Sequence, residues 1–227
     1  MSKLSIIIPV LNEGDNIAAA LDALAHLRAL GTEVIVVDGG SRDATVERAK
    51  LRADRVVLAP RGRALQMNAG AERASGDVLL FLHADTRLPA EASRLVLNGL
   101  DQSRRVWGRF DVKIDGRSRL LPVVAWLMRL RSRLTGIATG DQAIFLRREA
   151  FQVVGGFPTI ALMEDIAICK RLKRLGRPLC LHACVTTSGR RWEKNGVLST
   201  ILLMWRLRFA YFLGADPNQL ARQYGYE

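Results

Sequence analysis

Cysteine is scarce in this 227-residue chain: Cys169, Cys180 and Cys184 are the whole complement. Three thiols make no disulfide framework, and a reducing, cytoplasmic setting is expected. Cys180-x-x-x-Cys184 with His182 between them has part of a zinc-site spacing, but a closed site needs a fourth ligand that the sequence does not offer. Long apolar runs are also missing. The amino terminus holds one brief apolar stretch before Pro9, shorter than the apolar region of a signal peptide, so neither a leader nor a span is expected there. The uncharged run from Gly196 to Trp205 is interrupted by Arg206 and Arg208, whereas a bilayer span takes about 20 apolar residues. Acidic residues are the minority, 22 against 34 Lys and Arg, which leaves a formal charge of +12. Such a balance implies anionic partners: phosphorylated ligands, nucleic acid or an acidic membrane surface. The arginines are spread along the chain and no base-reading motif is present, so no nucleic-acid partner is expected. Neither G-x-G-x-x-G after the first strand nor G-x-x-x-x-G-K-[ST] occurs, which argues against the ordinary dinucleotide-binding and P-loop folds.

What is present is regular alternation. Val78 to Leu82 is an unbroken apolar run after the turn Ser75-Gly76-Asp77, the pattern of a strand buried on both faces. Leu4 to Pro9, Glu33 to Val37 and Arg55 to Leu58 predict three further strands. Apolar spacing predicts helices from Asp15 to Leu30, from Ala44 to about Ala53 with Asp43 as cap, from Arg63 to about Ala74, and after Pro89. In the second half, Trp107 to Ile114 and Ala143 to Leu146 predict strands. Arg119 to Leu134, Glu164 to about Leu175 and Val197 to Leu213 predict helices, with Ser188 to Glu193 a polar loop. With 49% hydrophobic residues, the chain is expected to form one α/β domain: a Rossmann-like, mostly parallel central sheet flanked by helices, with C-terminal helices.

Each early strand-to-helix junction carries polar residues. The first has Pro9, Asn12 and Glu13. The second runs from Asp38 through Gly39, Gly40 and Ser41 to Thr45. The third has Arg61 and Arg63, then Gln66 and Asn68, and the fourth is His83-Ala84-Asp85. Ligands in open α/β sheets bind outside the carboxyl ends of strands, so these junctions predict one binding cleft.

In this order the junctions resemble the inverting family 2 glycosyltransferases with the GT-A fold. Ile6 to Glu13 is similar to that family's opening strand and P-x-x-N-E turn. Val36 to Thr45 is similar to its D-D-G-S-x-D-x-T loop, with Gly39 in place of the second Asp. Asn68-Ala69-Gly70 and Ala74 to Asp77 match the helix and turn before its metal motif. His83-Ala84-Asp85 stands at its D-x-D motif, with His in place of the first Asp, and Glu164-Asp165 stands at its E-D motif. The likeness covers residues 4 to about 185. Thr139-Gly140-Asp141-Gln142, Ser188 to Glu193 and Phe212 to Pro217 are similar to one sub-branch, the arsenosugar-biosynthesis or radical-SAM/selenodomain-associated glycosyltransferases.

The resemblance implies transfer of a sugar from a nucleotide-diphosphate sugar to an acceptor hydroxyl. Residues 1–100 would form the nucleotide-sugar half, 101–190 the acceptor and catalytic half, and 191–227 the C-terminal helix and tail. It implies Pro9, Asn12, Glu13, Asp38, Gly40, Asn68, His83, Ala84 and Asp85 for the donor, with Asp38 reading the base. Arg61 and Arg63 are phosphate contacts by charge and position. Asp85 would ligate a divalent cation, Mg or Mn, since hard oxygen suits either. Asp165 would be the general base, with Glu164 the alternative. Gly140, Asp141, Gln142, Arg190, Arg191 and Trp192 would face the acceptor or the diphosphate; an arginine stacked on Trp192 is the structural alternative. A nucleotidyltransferase acting on sugar phosphates is the runner-up, disfavoured because no Gly-rich basic loop follows the first strand. The Arg-bearing apolar helices and the net charge fit an enzyme peripheral on the inner face of the membrane, with a lipid-linked acceptor. Burial in the core, or a homodimer, is the alternative for both helices.

Overall fold

The structure is a computed structural model that describes residues 2–225. Its first half is a run of strand–helix units. β1 (Leu4–Val10) leads through α1 (Gly14–Asp22) and α2 (Ala25–Ala29) to β2 (Glu33–Asp38). α3 (Thr45–Lys50) then precedes β3 (Arg55–Leu58), and α4 (Arg63–Arg73) precedes β4 (Val78–Phe81). After the two-residue strand β5 (Thr86–Arg87) come α5 (Ala92–Ser103), β6 (Trp107–Asp115) and α6 (Leu121–Thr135). A 3-10 turn at Gly140–Gln142 leads to β7 (Phe145–Arg147), α7 (Arg148–Val153) and α8 (Glu164–Leu172). β8 (Leu179–Ser188), α9 (Arg190–Asn195), α10 (Val197–Phe212) and α11 (Pro217–Tyr224) complete the chain.

One curled eight-stranded sheet runs through both halves in the order β3-β2-β1-β4-β7-β6-β8-β5. β3, β2, β1 and β4 are parallel. β7 is antiparallel to both β4 and β6, β6 and β8 are parallel, and β5 closes the far edge antiparallel to β8. The apolar runs explain the parallel part. Alternate side chains of a strand point to opposite faces. Ile6, Ile8, Val34, Val36, Leu80 and Leu82 enter one core layer, and Ile7, Ile35, Val37, Leu79 and Phe81 enter the other. The first layer is covered by α1, α5 and α6 through Ile17, Leu21, Val96, Leu100 and Val124. The second is covered by α4, α7 and α8 through Met67, Ala71, Phe151, Ile168 and Leu172. A smaller cluster of Leu162, Met163, Ile166, Leu207, Leu220 and Ala221 ties α10 and α11 to the start of α8. Among the described residues, no helix is long and apolar enough to cross a membrane.

Several expectations are corrected. The helix predicted from Asp15 to Leu30 is broken at Ala23 and Leu24 into α1 and α2. β7 starts at Phe145 rather than Ala143, because Ala143 has a left-handed φ of 45°. The ten-residue β8 was not expected: only Val185 and Thr187 of it are buried, so its alternation is faint. The segment Ser188 to Glu193 is not a loop; Ser188 ends β8 and Arg190 opens α9.

Gly70 shows how closely α4 approaches the sheet. A Cβ there would collide with Ile7 and lie 2.8 Å from Val37 Cγ2. Alanine would gain about 1 kcal/mol of helix propensity, but overpacking a rigid core costs about 1–3 kcal/mol. Gly70→Ala is therefore expected to lower stability by up to about 2 kcal/mol net, measured by urea unfolding.

Candidate active site

At the carboxyl ends of β1 and β4 the chain opens a cleft of about 860 Å³. Its walls contain Pro9 and Glu13 from the first junction, Arg61 and Arg63 from the third, and His83, Ala84 and Asp85 from the fourth. They also contain Gly140 and Asp141, Glu164 and Asp165, and Arg190, Arg191 and Trp192. Fourteen residues that are far apart in sequence thus meet in one space.

Asn12, Asp38, Gly40, Asn68 and Gln142 do not line this cleft, and each has a local task. Asn12 Oδ1 accepts from Arg42 N at 2.9 Å, and Asn12 N donates to Ser41 Oγ at 2.8 Å. Glu13 N donates to Thr45 Oγ1 and Gly14 N to Asp43 Oδ2, so the first two junctions are stitched together. Asp43 also accepts from Thr45 N at 3.1 Å, at the start of α3. Asp38 is buried, and its Oδ2 accepts from Gly40 N and Ser41 N, both at 2.9 Å. Its Oδ1 is buried with no partner among the described residues. Gly40 supplies the positive φ of 94° that this turn needs. Asn68 clamps Phe157 by two 2.9 Å bonds, Nδ2 to its carbonyl and Oδ1 from its N–H. Gln142 is fully buried, where Nε2 donates to Ser132 Oγ at 3.1 Å and Oε1 accepts from Thr139 N at 3.3 Å. Gln66, which does line the cleft, donates from Nε2 to the carbonyls of Val10 and Val37, both at 2.8 Å, and pins the ends of β1 and β2.

The acidic pair opens α8. The residue before it, Met163, has a left-handed φ of 71°, a conformation costly for a side chain with a Cβ and concentrated at functional sites. Asp165 Oδ1 accepts from Ile166 N at 2.7 Å, and Oδ2 accepts from Gly140 N at 3.1 Å. Burial pushes Glu164 up to about 7, and repulsion by Asp165 adds to the rise, opposed by the charges of Arg63 and His83. Burial also raises Asp165, opposed by its two backbone N–H donors and by Arg131. Nε and Nη2 of Arg131 are buried without a partner among the described residues. Burial lowers its pKa, with the charges of Asp165, Cys169 and Asp141 opposing the change. The same environment drives the Cys169 thiol up to about 12, by burial first, so it is inert as a nucleophile.

Facing the pair, His83 Nδ1 lies 3.4 Å from Asp141 Oδ1. A Cβ on Gly140 would strike the His83 ring, so this approach requires glycine. Burial would raise Asp141, but the bond from His83 and the charges of His83, Arg63 and Arg191 outweigh it and hold the carboxyl below its ordinary value. Asp85 is half-buried, and its side chain accepts a long 3.4 Å bond from Thr86 Oγ1. Arg191 stacks over Tyr224, 3.5 Å from the ring centroid, and Nη2 donates to the Tyr224 carbonyl at 2.8 Å. The sequence had offered Trp192 as the stacking partner; Trp192 instead packs against the core layer beneath α6.

Other lining residues escaped the sequence: Thr159 to Met163, Thr200, Met204 and Arg208 of α10, and Asn218 and Tyr224 of α11. Nothing local in the sequence indicated that the segment Thr159 to Met163 reaches the cleft. The α10 and α11 residues reach it only through the cluster around Leu207 and Leu220.

The four parallel strands, the antiparallel β7 and the charged cleft at the strand ends define a GT-A type α/β protein. The chain belongs to glycosyl transferase family 2: the family's sequence profile matches residues 5–155. Among curated relatives, it is 29% identical over 160 residues to the undecaprenyl-phosphate 4-deoxy-4-formamido-L-arabinose transferase of Yersinia pestis. That match covers 65% of this chain and 48% of the relative. The chain thus spans about half the length of the curated relatives it matches there. Similar solved structures include a Pyrobaculum calidifontis mannosyltransferase in complex with GDP-Man and Mn2+, with a TM-score of 0.65 and 21% identity. It covers 99% of this chain and 69% of that one. Another is a fragment of S. aureus TarS in complex with UDP-GlcNAc, with a TM-score of 0.66 and 21% identity, covering 82% and 58%.

The raised pKa of Glu164 has a stability consequence. Its folded value of about 7 exceeds the ordinary 4.5. The folded state therefore keeps a proton that the unfolded chain releases, and this contribution is full below 4.5 and lost as pH rises through about 7. The loss across that window is about 3 kcal/mol. Glu164→Gln is expected to flatten the fall in stability between about pH 5 and about pH 8, measured by urea unfolding at both.

Proposed function

We propose that this chain is an inverting glycosyltransferase that moves a sugar from a nucleotide-diphosphate donor to an acceptor hydroxyl. The observation that carries the reading is the Glu164–Asp165 pair sharing one cleft with Asp85, His83 and five arginines, 61, 63, 190, 191 and 208. Transfer needs a base on one side of the anomeric carbon and positive charge for the departing diphosphate on the other. In-line attack by the acceptor oxygen forms the new glycosidic bond as the bond to the diphosphate breaks. The hydroxyl proton passes to a carboxylate, and configuration inverts.

Asp165 is assigned as that base. Backbone N–H groups on both its oxygens fix the carboxylate in place and oppose the rise that burial gives its pKa. Arg61, Arg63, Arg190 and Arg191 take the diphosphate charge. Asp38 is assigned to the base from behind the cleft wall, which it does not itself line: its Oδ1 is buried without a partner among the described residues, an acceptor of the kind that an imide N–H satisfies. Pro9, Asn12, Glu13 and Gly40 shape that end, with Asn68 holding the Phe157 turn.

The donor set fits a divalent cation. Asp85 offers a hard oxygen whose own bond from Thr86 is weak. Among the described residues no cluster of three His, Cys, Asp or Glu ligands forms. One carboxylate with phosphate oxygens and waters suits Mg or Mn. Such a cation, when bound, would supply Lewis-acid neutralisation of the leaving group. His83, tied to Asp141, would orient the phosphates beside it.

The acceptor is proposed to be lipid-linked, as the name of the Yersinia pestis relative indicates for that protein, with the enzyme on the inner face of the membrane. Thr139 to Gln142, Ser188 to Glu193 and Phe212 to Pro217 keep the arsenosugar-associated sub-branch as the proposed affiliation. Residues 1–100 are assigned to the donor and 101–190 to the acceptor and chemistry, with 191–227 as the C-terminal helix and tail.

Two variants test this. Asp85→Ala is expected to remove the manganese-dependent part of the thermal shift given by nucleotide-sugars, with the fold retained by circular dichroism. An unchanged shift would refute Asp85 as the ligand. Asp165→Asn is expected to keep donor affinity while turnover falls about 10²–10⁴-fold, followed by release of nucleoside diphosphate. Wild-type turnover in Asp165→Asn with an inactive Glu164→Gln would transfer the role to Glu164. Pyrophosphate release from a nucleoside triphosphate and a sugar 1-phosphate would favour a nucleotidyltransferase instead.

A further inference from the structure

Two helices are turned the wrong way round for water. On α10, Leu198, Leu202, Trp205, Phe209 and Phe212 recur at i, i+4, i+7, i+11 and i+14, which is one helix face, and every one is exposed. The last three are 65%, 65% and 76% exposed. The stripe is about 20 Å long at 1.5 Å per residue. On α6, Val123, Leu127, Leu130 and Leu134 repeat the pattern, and Trp126 beside them is 53% exposed. The opposite sides are inside: Leu121, Val124 and Ala125 of α6 share a core layer with Val197 and Ile201 of α10. The segments that lead into them are tied together, since Arg117 N, ahead of α6, donates to the carboxylate of Glu193 in α9. Each helix thus turns one side to the same core layer and an apolar stripe to solvent. Exposed apolar surface on this scale marks an interaction site.

Charge identifies the occupant. Neither α6 nor α10 contains an acidic residue; of their arginines, Arg131 has Nε and Nη2 buried, Arg133 pairs with Asp111 and Arg208 lines the cleft, while Arg206 is exposed. Arg117, Arg119, Lys194 and Arg206 are exposed at or near the two helices. A second copy would set cation against cation. A surface with apolar depth and negative headgroups satisfies both features, and Trp and Phe beside Arg is the composition of helices that lie in a bilayer interface.

We infer that the α6–α10 face docks on an anionic lipid bilayer. Docking does not depend on the transfer reaction. Its consequence for the acceptor does rest on that reading: Thr200, Met204 and Arg208 on another side of α10 line the cleft. A docked α10 is thus both membrane contact and cleft wall, so a lipid-anchored phosphate reaches the cleft without leaving the bilayer.

The test is co-sedimentation of the full chain, without donor, with vesicles of phosphatidylcholine alone or with phosphatidylglycerol. Binding is expected with phosphatidylglycerol only, and it should weaken as salt rises. Trp205→Ser with Phe209→Ser is expected to lower vesicle affinity about tenfold or more, and Trp126→Ser with Leu130→Gln on the other helix likewise. In the wild-type protein, lipids with brominated acyl chains should quench tryptophan emission, a measurement that needs no variant. Protein left in the supernatant at low salt, or unchanged affinity in both folded variants, overturns the proposal. So does a dimer in sedimentation velocity that these substitutions dissociate while vesicles bind nothing. Because donor binding is measured separately, loss of vesicle binding and loss of transferase activity are distinguishable.

Discussion

Strands β1, β2 and β4 have no side left for water. Ile6, Ile8, Val34, Val36 and Leu80 belong to one core layer, and Ile7, Ile35, Val37 and Leu79 to the other. A one-residue slip in any of these strands would exchange its two faces between layers that have different partners, so register is strongly fixed. With register fixed, β1, β2 and β3 end level and β4 ends three residues short of β1. Val10 pairs with Asp38 and Ile7 with Phe81. The polar junctions that follow are thereby placed side by side, and the cleft is a consequence of how the core is packed.

The second half supplies what the first lacks. β7 enters antiparallel beside β4, so the chain before it, from Thr139 to Ala143, passes across the strand ends. That passage brings Gly140 N to Asp165 Oδ2 and Asp141 to His83. Asp165 and His83 are therefore coupled through one short 3-10 turn. Gly140 is required there because the His83 ring occupies the place a Cβ would take.

Electrostatics in the cleft follow from a conflict between burial and charge. Glu164 is deeply buried beside Asp165, and two adjacent carboxylates cannot both ionise cheaply in that setting. The arginines that line the same space oppose this in part. An anionic ligand would compete for those arginines and so favour the protonated carboxyls further.

The sequence by itself determined the parallel strands, the four junctions and the positions of Glu164-Asp165 and His83-Ala84-Asp85. Those signals are local: unbroken apolar runs, turn residues and a motif order along the chain. It did not determine β8, whose side chains are mostly half-exposed and alternate too weakly to announce a strand. Nor did it separate the working residues from their supports. Asn68 and Gln142 carry the same chemistry as ligand-binding amides, but their partners, Phe157 and Ser132, are fixed only by long-range packing. The apolar residues of α6 and α10 were the hardest case. Composition gives the same string for a core helix and a surface one. Only the tertiary structure decided which faces meet the core through Val124, Ala125, Val197 and Leu207. It turned Trp126, Trp205 and Phe209 outward, because only one face of each helix can pack on the core.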